Sequence, residues 1–201
     1  MKRKFPLMAK LYFNYSTMNA GKTTVLLQAA HNYSERGMNP FLLTANADTR
    51  SGIGTIKSRI GLKKSAQTFS QSVDLLNKVK EANSKKSISC VFVDEAQFLT
   101  EQQVWQLAKV VDDLKIPVLC FGLRVDFQGN LFPGSKCLLS IADELKEVKT
   151  ICHCGKKATM VIRQLNGKTV VDGDQVQIGG NESYTSLCRK HWLKEFEKAK
   201  K

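Results

Sequence analysis

The chain has 201 residues, 42% hydrophobic and 24% charged, which suits one soluble α/β domain with a small appendage and excludes long disordered spans. Lys and Arg number 31 against 18 Asp and Glu, leaving a formal net charge of +13. Such a field attracts polyanions, whether nucleic acid, an acidic membrane surface or a nucleoside triphosphate, without choosing among them.

The N-terminal MKRKFPLMAK is basic but lacks the long apolar region of a signal peptide, and no apolar run could span a bilayer, so a cytoplasmic protein is expected. The stretch from Lys10 to Glu35 then reads as a strand (Leu11 to Tyr15), a turn ending in Ala20-Gly21-Lys22-Thr23, and a helix opening at Lys22. Val25, Leu26, Ala29, Ala30 and Tyr33 recur there at helical spacing. This is the layout of a phosphate-binding loop: a glycine lets successive N–H groups and the positive helix end face one anion, and Lys22 adds an ammonium for the β- and γ-phosphates. Thr23 supplies a hydroxyl for Mg²⁺. Ser16 stands where the usual pattern begins with glycine. A Gly-Lys-Thr at an ordinary strand-to-helix turn is the alternative.

The helix is expected to end at Gly37, and Pro40 to Ala45 reads as a second buried strand. Residues 50–65 have no clean period and read as a mobile loop just beyond a strand end, where ligands sit in parallel α/β sheets. Lys57 and Arg59 are candidate phosphate contacts there, although a merely solvated loop is the simpler reading. Residues 71–85 read as an amphipathic helix, and Ile88 to Val93 as an apolar strand whose tip carries Asp94 and Glu95. A carboxylate at that place commonly holds the Mg²⁺ hydration shell, which suits Asp94, and its neighbour Glu95 suits a general base. The alternative is that both acids cap the helix Glu101 to Leu114 or pair with lysines. A strand from Ile116 to Leu123 and a helix from Ser135 to Leu145 complete a mainly parallel sheet with helices on both faces. Cys90, Cys120 and Cys137 fall in these apolar runs and are expected to be buried thiols.

The composition changes at Thr150, giving an expected division into residues 1–149 and 150–201. Cys152-His153-Cys154 and, much further on, Cys188-Arg-Lys-His191 supply two close pairs of ligands that read as a structural zinc site, with Cys152, Cys154, Cys188 and His191 as the preferred set. The first pair is C-x-C, not the commoner C-x₂-C. Free thiols or a set that includes His153 are the alternatives. Ala158 to Gln164 and Lys168 to Val171 read as strands, and Asp172 to Tyr184 as an excursion with a fixed origin and a free middle. Such a loop could close over a ligand.

Several motifs occur in order: YSTMNAGKT, DTR, VFVDEAQFL, GLRVDFQGNLFPGS, CHCGKKA, IGGNESY and CRKHW. Together they resemble the zinc-bearing (type II) thymidine kinase family over nearly the whole chain, especially its bacterial members. The resemblance implies transfer of the γ-phosphate of ATP to the 5′-hydroxyl of thymidine, with deoxyuridine a second candidate substrate, for nucleotide salvage. It further implies a RecA-like P-loop core, a small C-terminal zinc subdomain with a lasso loop, a homotetramer, and feedback inhibition by thymidine triphosphate.

By motif position, Ser16, Thr17, Met18, Asn19, Ala20, Gly21, Lys22 and Thr23 would hold the triphosphate, with Asp48 and Arg50 near the phosphates and metal. Asp94 would serve Mg²⁺, Glu95 would deprotonate the 5′-hydroxyl, and Ala96 and Gln97 complete that nucleotide-binding motif. Met18, Phe98 and Phe127 would wall the nucleoside pocket. Gln175, Val176, Gln177, Ile178 and Gly179, with Tyr184, would cover the base. Arg124 stands where many relatives carry an acid, and no role is assigned to it or to the C-terminal KEFEKAKK.

A reading from another class is a nucleic-acid-stimulated ATPase with a zinc-ribbon appendage, suggested by the +13 charge and the Asp-Glu pair. The basic residues are scattered, with no long basic helix and little aromatic interleaving, so no nucleic-acid or membrane partner is expected. A zinc-stabilised nucleotide-binding module without chemistry is a third reading, disfavoured by Lys22, Thr23 and Glu95.

Overall fold

The computed structural model describes residues 9–46, 52–175 and 184–200. In chain order, β1 (Leu11–Ser16), α1 (Lys22–Glu35) and β2 (Pro40–Ala45) are followed by the short strands β3 (Thr55–Lys57), β4 (Lys63–Ser65) and β5 (Gln67–Phe69). Next come α2 (Leu75–Lys85), β6 (Cys90–Val93), a 3₁₀ turn (Ala96–Phe98), α3 (Glu101–Leu114), β7 (Val118–Leu123) and α4 (Pro133–Ile141). The strands β8 (Glu144–Glu147), β9 (Thr150–Ile151), β10 (Lys157–Ala158), β11 (Met160–Leu165), β12 (Lys168–Val170) and β13 (Tyr184–Leu187) precede α5 (Arg189–Ala199).

Six strands form one sheet in the order β5-β2-β6-β7-β1-β8, and every neighbouring pair is parallel. The apolar runs that form it are buried on both faces because helices cover both. Leu42, Cys90, Phe92 and Phe121 pack with Leu26, Leu27 and Ala30 of α1. Their strand neighbours Leu43, Val91, Val93 and Cys120 turn the other way, into a larger core with Val79 of α2, Leu107 of α3 and Leu138 of α4. The period-two alternation of each strand thus feeds two separate cores. Cys90, Cys120 and Cys137 are buried thiols, as expected. No helix among the described residues is long and apolar enough to cross a membrane.

Three stretches differ from their sequence reading. The 52–65 region is not an irregular loop: β3 pairs antiparallel with β4, Thr55 opposite Ser65 and Lys57 opposite Lys63. Ile56, 2% exposed, anchors the hairpin beneath α1. One buried side chain in a three-residue strand is too little for periodicity to detect. The helix expected from Ser135 to Leu145 is α4, which stops at Ile141, and Glu144–Glu147 becomes β8 beside β1. Its sequence ELKE suggests helix by propensity, but main-chain pairing at the sheet edge overrides propensity. The Leu11 N–H donates to the Asp143 carboxylate at 2.7 Å, and Lys10 pairs with Glu144 at 2.6 Å, fixing this corner. The second helix begins at Leu75, not near residue 71, because Asp74 caps it by accepting the Asn77 N–H at 2.9 Å.

Beyond residue 149 the strands form sheets of their own. β9 and β10 make an antiparallel ribbon, and β12-β11-β13 an antiparallel sheet. Cys152, Ala158, Ile162, Leu187 and Cys188 form its small core, with Trp192 of α5 packed against them.

Candidate active site

The sheet order sets β1 next to β7 and β7 next to β6, so the loops after β1 and β6 emerge at one end of the sheet, which is where such folds bind ligands. The turn after β1 wraps onto itself. Gly21, at φ 84°, is the N-cap of α1, and Asn19 is also left-handed at φ 61°. The Lys22 ammonium arches back to donate to the Thr17 carbonyl at 2.8 Å. Met18 to Thr24 line a cavity of about 290 Å³, closed on its other side by Lys57, Ser58, Arg59 and Ile60 of the β3-β4 turn, with Glu95 and Leu123 also in its wall. The hairpin therefore delivers Lys57 and Arg59 to the phosphate loop. Lys57 and Arg59 thus share one cavity with Lys22 and the N-terminus of α1, a cationic lining that suits an anion.

Asp94 and Glu95 follow the tip of β6. Asp94 is 4% exposed, and burial first and the Glu95 charge second hold its carboxyl up at about 7, while Lys22 and the Thr23 hydroxyl pull the other way. A buried carboxylate beside a threonine hydroxyl at a phosphate loop is an oxygen donor set that fits Mg²⁺. Glu95 has left-handed backbone, φ 53° and ψ 40°, a conformation rare outside glycine and concentrated at functional sites. The Gln97 amide donates to the Glu95 carboxylate, while its oxygen accepts the Leu123 N–H at 3.0 Å. Ala96 and Gln97 are themselves buried, and of the two it is Gln97 whose side chain contacts Glu95. Neither acid caps α3, whose N-terminus is closed by a Thr100–Gln103 capping box.

The second group of site residues is less gathered. Phe98 lines a neighbouring cavity of about 430 Å³ with Ala45, Asn46 and Phe69, and meets Phe132 edge-on at 6.2 Å. Phe127 is buried beneath the Arg163 guanidinium. Gln175 donates to the Asp126 carboxylate at 2.8 Å, and Tyr184 opens β13 opposite Arg163. Asp48, Arg50, Val176, Gln177, Ile178 and Gly179 lie outside the described residues.

The sulfur atoms of Cys152, Cys154 and Cys188 and a ring nitrogen of His191 all lie within 4.8 Å of one another. Cys154 and Cys188 sulfurs are 3.9 Å apart, and His191 Nδ1 is 3.3 Å from Cys152 Sγ and 3.5 Å from Cys188 Sγ. A tetrahedral zinc with bonds of about 2.3 Å to sulfur and about 2.0 Å to nitrogen requires edges of about 3.8 and about 3.5 Å, so the four groups fit that ion. His153 stacks on His191 at 4.3 Å and is outside the cluster. Burial alone would raise the Cys152 thiol, but the backbone N–H groups of Cys154 and Cys188, together with the His191 ring, bring it down to about 6.

Hydrogen bonds that the sequence does not announce tie this cluster's sheet to the phosphate loop. Thr17 Oγ1 donates to the Met160 carbonyl at 3.0 Å, Ser186 Oγ donates to the Met18 carbonyl at 2.6 Å, and Arg124 donates to the Thr159 carbonyl at 3.1 Å. Ser16 Oγ donates to the Val148 carbonyl, which accounts for serine at the head of the loop. Arg163 and Ser186 are the polar residues whose positions matter here and whose sequence context, a strand of ordinary appearance, gives little warning. The clearest signal is an arginine at a buried position directly after the apolar run Met160–Ile162 of β11.

Parallel sheet, phosphate loop, carboxylate pair and Cys₃His cluster define a P-loop α/β protein with an appendage whose side chains could hold a metal ion. The family profile described as thymidine kinase matches residues 9–192, and the chain belongs to that family. It is 63% identical over 186 residues to a thymidine kinase of Ruegeria pomeroyi, covering 92% of this chain and 94% of that one. It is 58% identical over 190 residues to a thymidine kinase of Agrobacterium fabrum, covering 94% and 98%. A thymidine kinase of Photobacterium profundum is 58% identical over 186 residues, covering 92% and 97%. Among solved structures, the Pif1 helicase from Candida albicans aligns with a TM-score of 0.43 at 14% identity, over 71% of this chain and 36% of that one, too slight a likeness to bear on function.

Proposed function

We propose that the chain transfers the γ-phosphate of ATP to the 5′-hydroxyl of thymidine, giving thymidine monophosphate and ADP. The observation that carries the reading is the placement of Glu95 in the wall of the phosphate-loop cavity, its carboxylate held by Gln97, in a chain of the thymidine kinase family. Ser16 to Thr23 cradle the triphosphate, and Lys22 exchanges the Thr17 carbonyl for phosphate oxygens when nucleotide enters. Lys57 and Arg59 add positive charge across the cavity. Asp94, with the Thr23 hydroxyl, would hold Mg²⁺, which would supply positive charge against the triphosphate. Glu95 takes the proton of the 5′-hydroxyl.

Met18, Phe98, Phe127, Gln175 and Tyr184 serve the nucleoside, Asp48 and Arg50 the phosphates and metal, and Val176 to Gly179 the thymine edge. A base covered in this way is shielded from water, which limits wasteful hydrolysis of ATP. Cys152, Cys154, Cys188 and His191 hold a structural Zn²⁺ that fixes the origin of the covering segment. Residues 1–149 act as the nucleotide-binding part and residues 150–201 as the covering part. The enzyme works as a cytoplasmic homotetramer subject to inhibition by thymidine triphosphate, and deoxyuridine is a further candidate substrate.

Glu95→Gln tests the reading. ATP affinity stays near that of the unaltered chain while kcat falls by about 10²–10⁴-fold, the usual worth of a general base. Near-normal turnover would remove Glu95 from that role.

A further inference from the structure

Arg163 lies in β11 opposite Tyr184 of β13 and is 5% exposed. Its guanidinium sits over the Phe127 ring, 3.9 Å from the centroid. Its two terminal nitrogens donate to main-chain carbonyls on either side of Gly173, to Asp174 at 2.8 Å and to Asp172 at 3.3 Å. The chain between those carbonyls is moulded to the cation: Gly173 has φ 122°, and a Cβ there would lie 2.7 Å from Arg163 Nη2. Around the same point Gln128 Nε2 reaches the Val171 carbonyl at 3.4 Å, and Gln175 donates to Asp126. The Asp126 carboxylate in turn accepts the N–H groups of Gln128 and Asn130. The Asp172–Gln175 segment is thus fastened to Phe127 and its neighbours by Arg163 at its middle, with the longer Gln128 contacts to Val171 and Asp172 and the Gln175–Asp126 bond beside it.

Stability is a poor reason for this arrangement. A buried guanidinium carries a large desolvation cost, and no carboxylate among the described residues pairs with it. Its Nε–H finds no acceptor among the described residues. An apolar side chain would fill the same space at lower cost.

We propose that Arg163 is a positioning residue for nucleoside binding, holding the Phe127 ring and the Asp172–Gln175 segment in the arrangement that receives the thymidine base. The inference rests on the reading of Phe127 and Gln175 as nucleoside contacts given above. The phosphate loop is tied to this sheet by other bonds, from Thr17 and Ser186, so the effect of Arg163 falls on thymidine and not on ATP.

The test compares Arg163→Gln, Gly173→Ala and the double variant with the unaltered chain, each holding its metal, by steady-state kinetics with thymidine and ATP varied in turn. Arg163→Gln raises the thymidine KM about tenfold or more, while kcat and the ATP KM stay within about twofold. Gly173→Ala keeps the guanidinium but drives the chain off it, and gives the same split. The double variant is no worse than the worse single one, because both act through one contact. Equal losses toward both substrates, additive effects, or an unchanged thymidine KM overturn the proposal. If Arg163→Gln fails to fold, the Gly173→Ala split decides alone. A lack of thymidine phosphorylation by the unaltered chain overturns instead the functional reading beneath it, and is seen before any variant is compared.

Discussion

Gln97 links Glu95 to the end of β7: its amide nitrogen donates to the Glu95 carboxylate and its amide oxygen accepts the Leu123 N–H at 3.0 Å. The Gln97 side chain is buried, while the Glu95 carboxylate it holds reaches the wall of the cavity. Glu95, whose backbone sits in left-handed conformation, thereby has its carboxylate tied to the end of β7.

Gln97→Leu removes that hold while keeping bulk. Hydrogen bonds to charged groups contribute about 1.5–3 kcal/mol, so kcat falls by about 10–100-fold with ATP affinity little changed. Steady-state kinetics alongside nucleotide titration check it, and an unchanged kcat would mean that Glu95 holds its own orientation. Gly122→Ala reaches the same contact from the other side, since its Cβ would lie 2.9 Å from the Gln97 backbone nitrogen and 3.0 Å from the amide oxygen. Overpacking there costs about 1–3 kcal/mol, read as a fall in Tm together with a loss of activity.

The Ser186 hydroxyl and the Met18 carbonyl, 2.6 Å apart, join the strand before Cys188 to the phosphate loop. Chelating the metal from the Cys₃His cluster therefore weakens thymidine binding most, because the covering segment loses its origin. ATP binding weakens by a smaller factor through Ser186 and Thr17. Calorimetric titration of both ligands before and after chelation measures the two losses. Equal losses, or no loss for thymidine, would contradict a metal site that serves the nucleoside side.

Asp94 makes stability depend on pH in the sense opposite to a salt-bridged carboxylate. Its carboxyl is held at about 7 in the folded chain against an ordinary value of 3.8. Between those values the folded chain binds a proton that the unfolded chain does not, so this group's contribution falls as pH rises through the window. In the metal- and nucleotide-free protein, Asp94→Asn is more stabilising relative to the unaltered chain at pH 8 than at pH 5, while phosphate transfer is lost. Thermal melts of both proteins at the two pH values check the sign. An equal difference in Tm at both would show that Asp94 is ionised throughout.

Much of this was legible before any coordinates, for reasons that vary by element. The α3 boundaries, Glu101 and Leu114, are those expected from the sequence, although the cap is the Thr100–Gln103 box and not the acids, and β2 follows from an apolar run of the right length. The phosphate loop and the Cys₃His set were readable because their chemistry demands particular residues at particular spacings. The β3-β4 hairpin and β8 were not, since Thr55–Lys57 buries one side chain and Glu144–Glu147 none. Strands held by main-chain pairing leave little trace in side-chain pattern. Arg163 is similarly hidden, because its importance lies in the Phe127 ring and in the Asp172 and Asp174 carbonyls, partners that no local spacing announces.

The most direct measurement is the product balance of the purified protein with Mg²⁺ and ATP, with and without thymidine, resolved by chromatography. Thymidine monophosphate formed one-for-one with ADP, and little ADP when thymidine is withheld, is the predicted result. ADP released without phosphorylated nucleoside, and faster when DNA or RNA is added, would contradict the account and point to a nucleic-acid-stimulated ATPase.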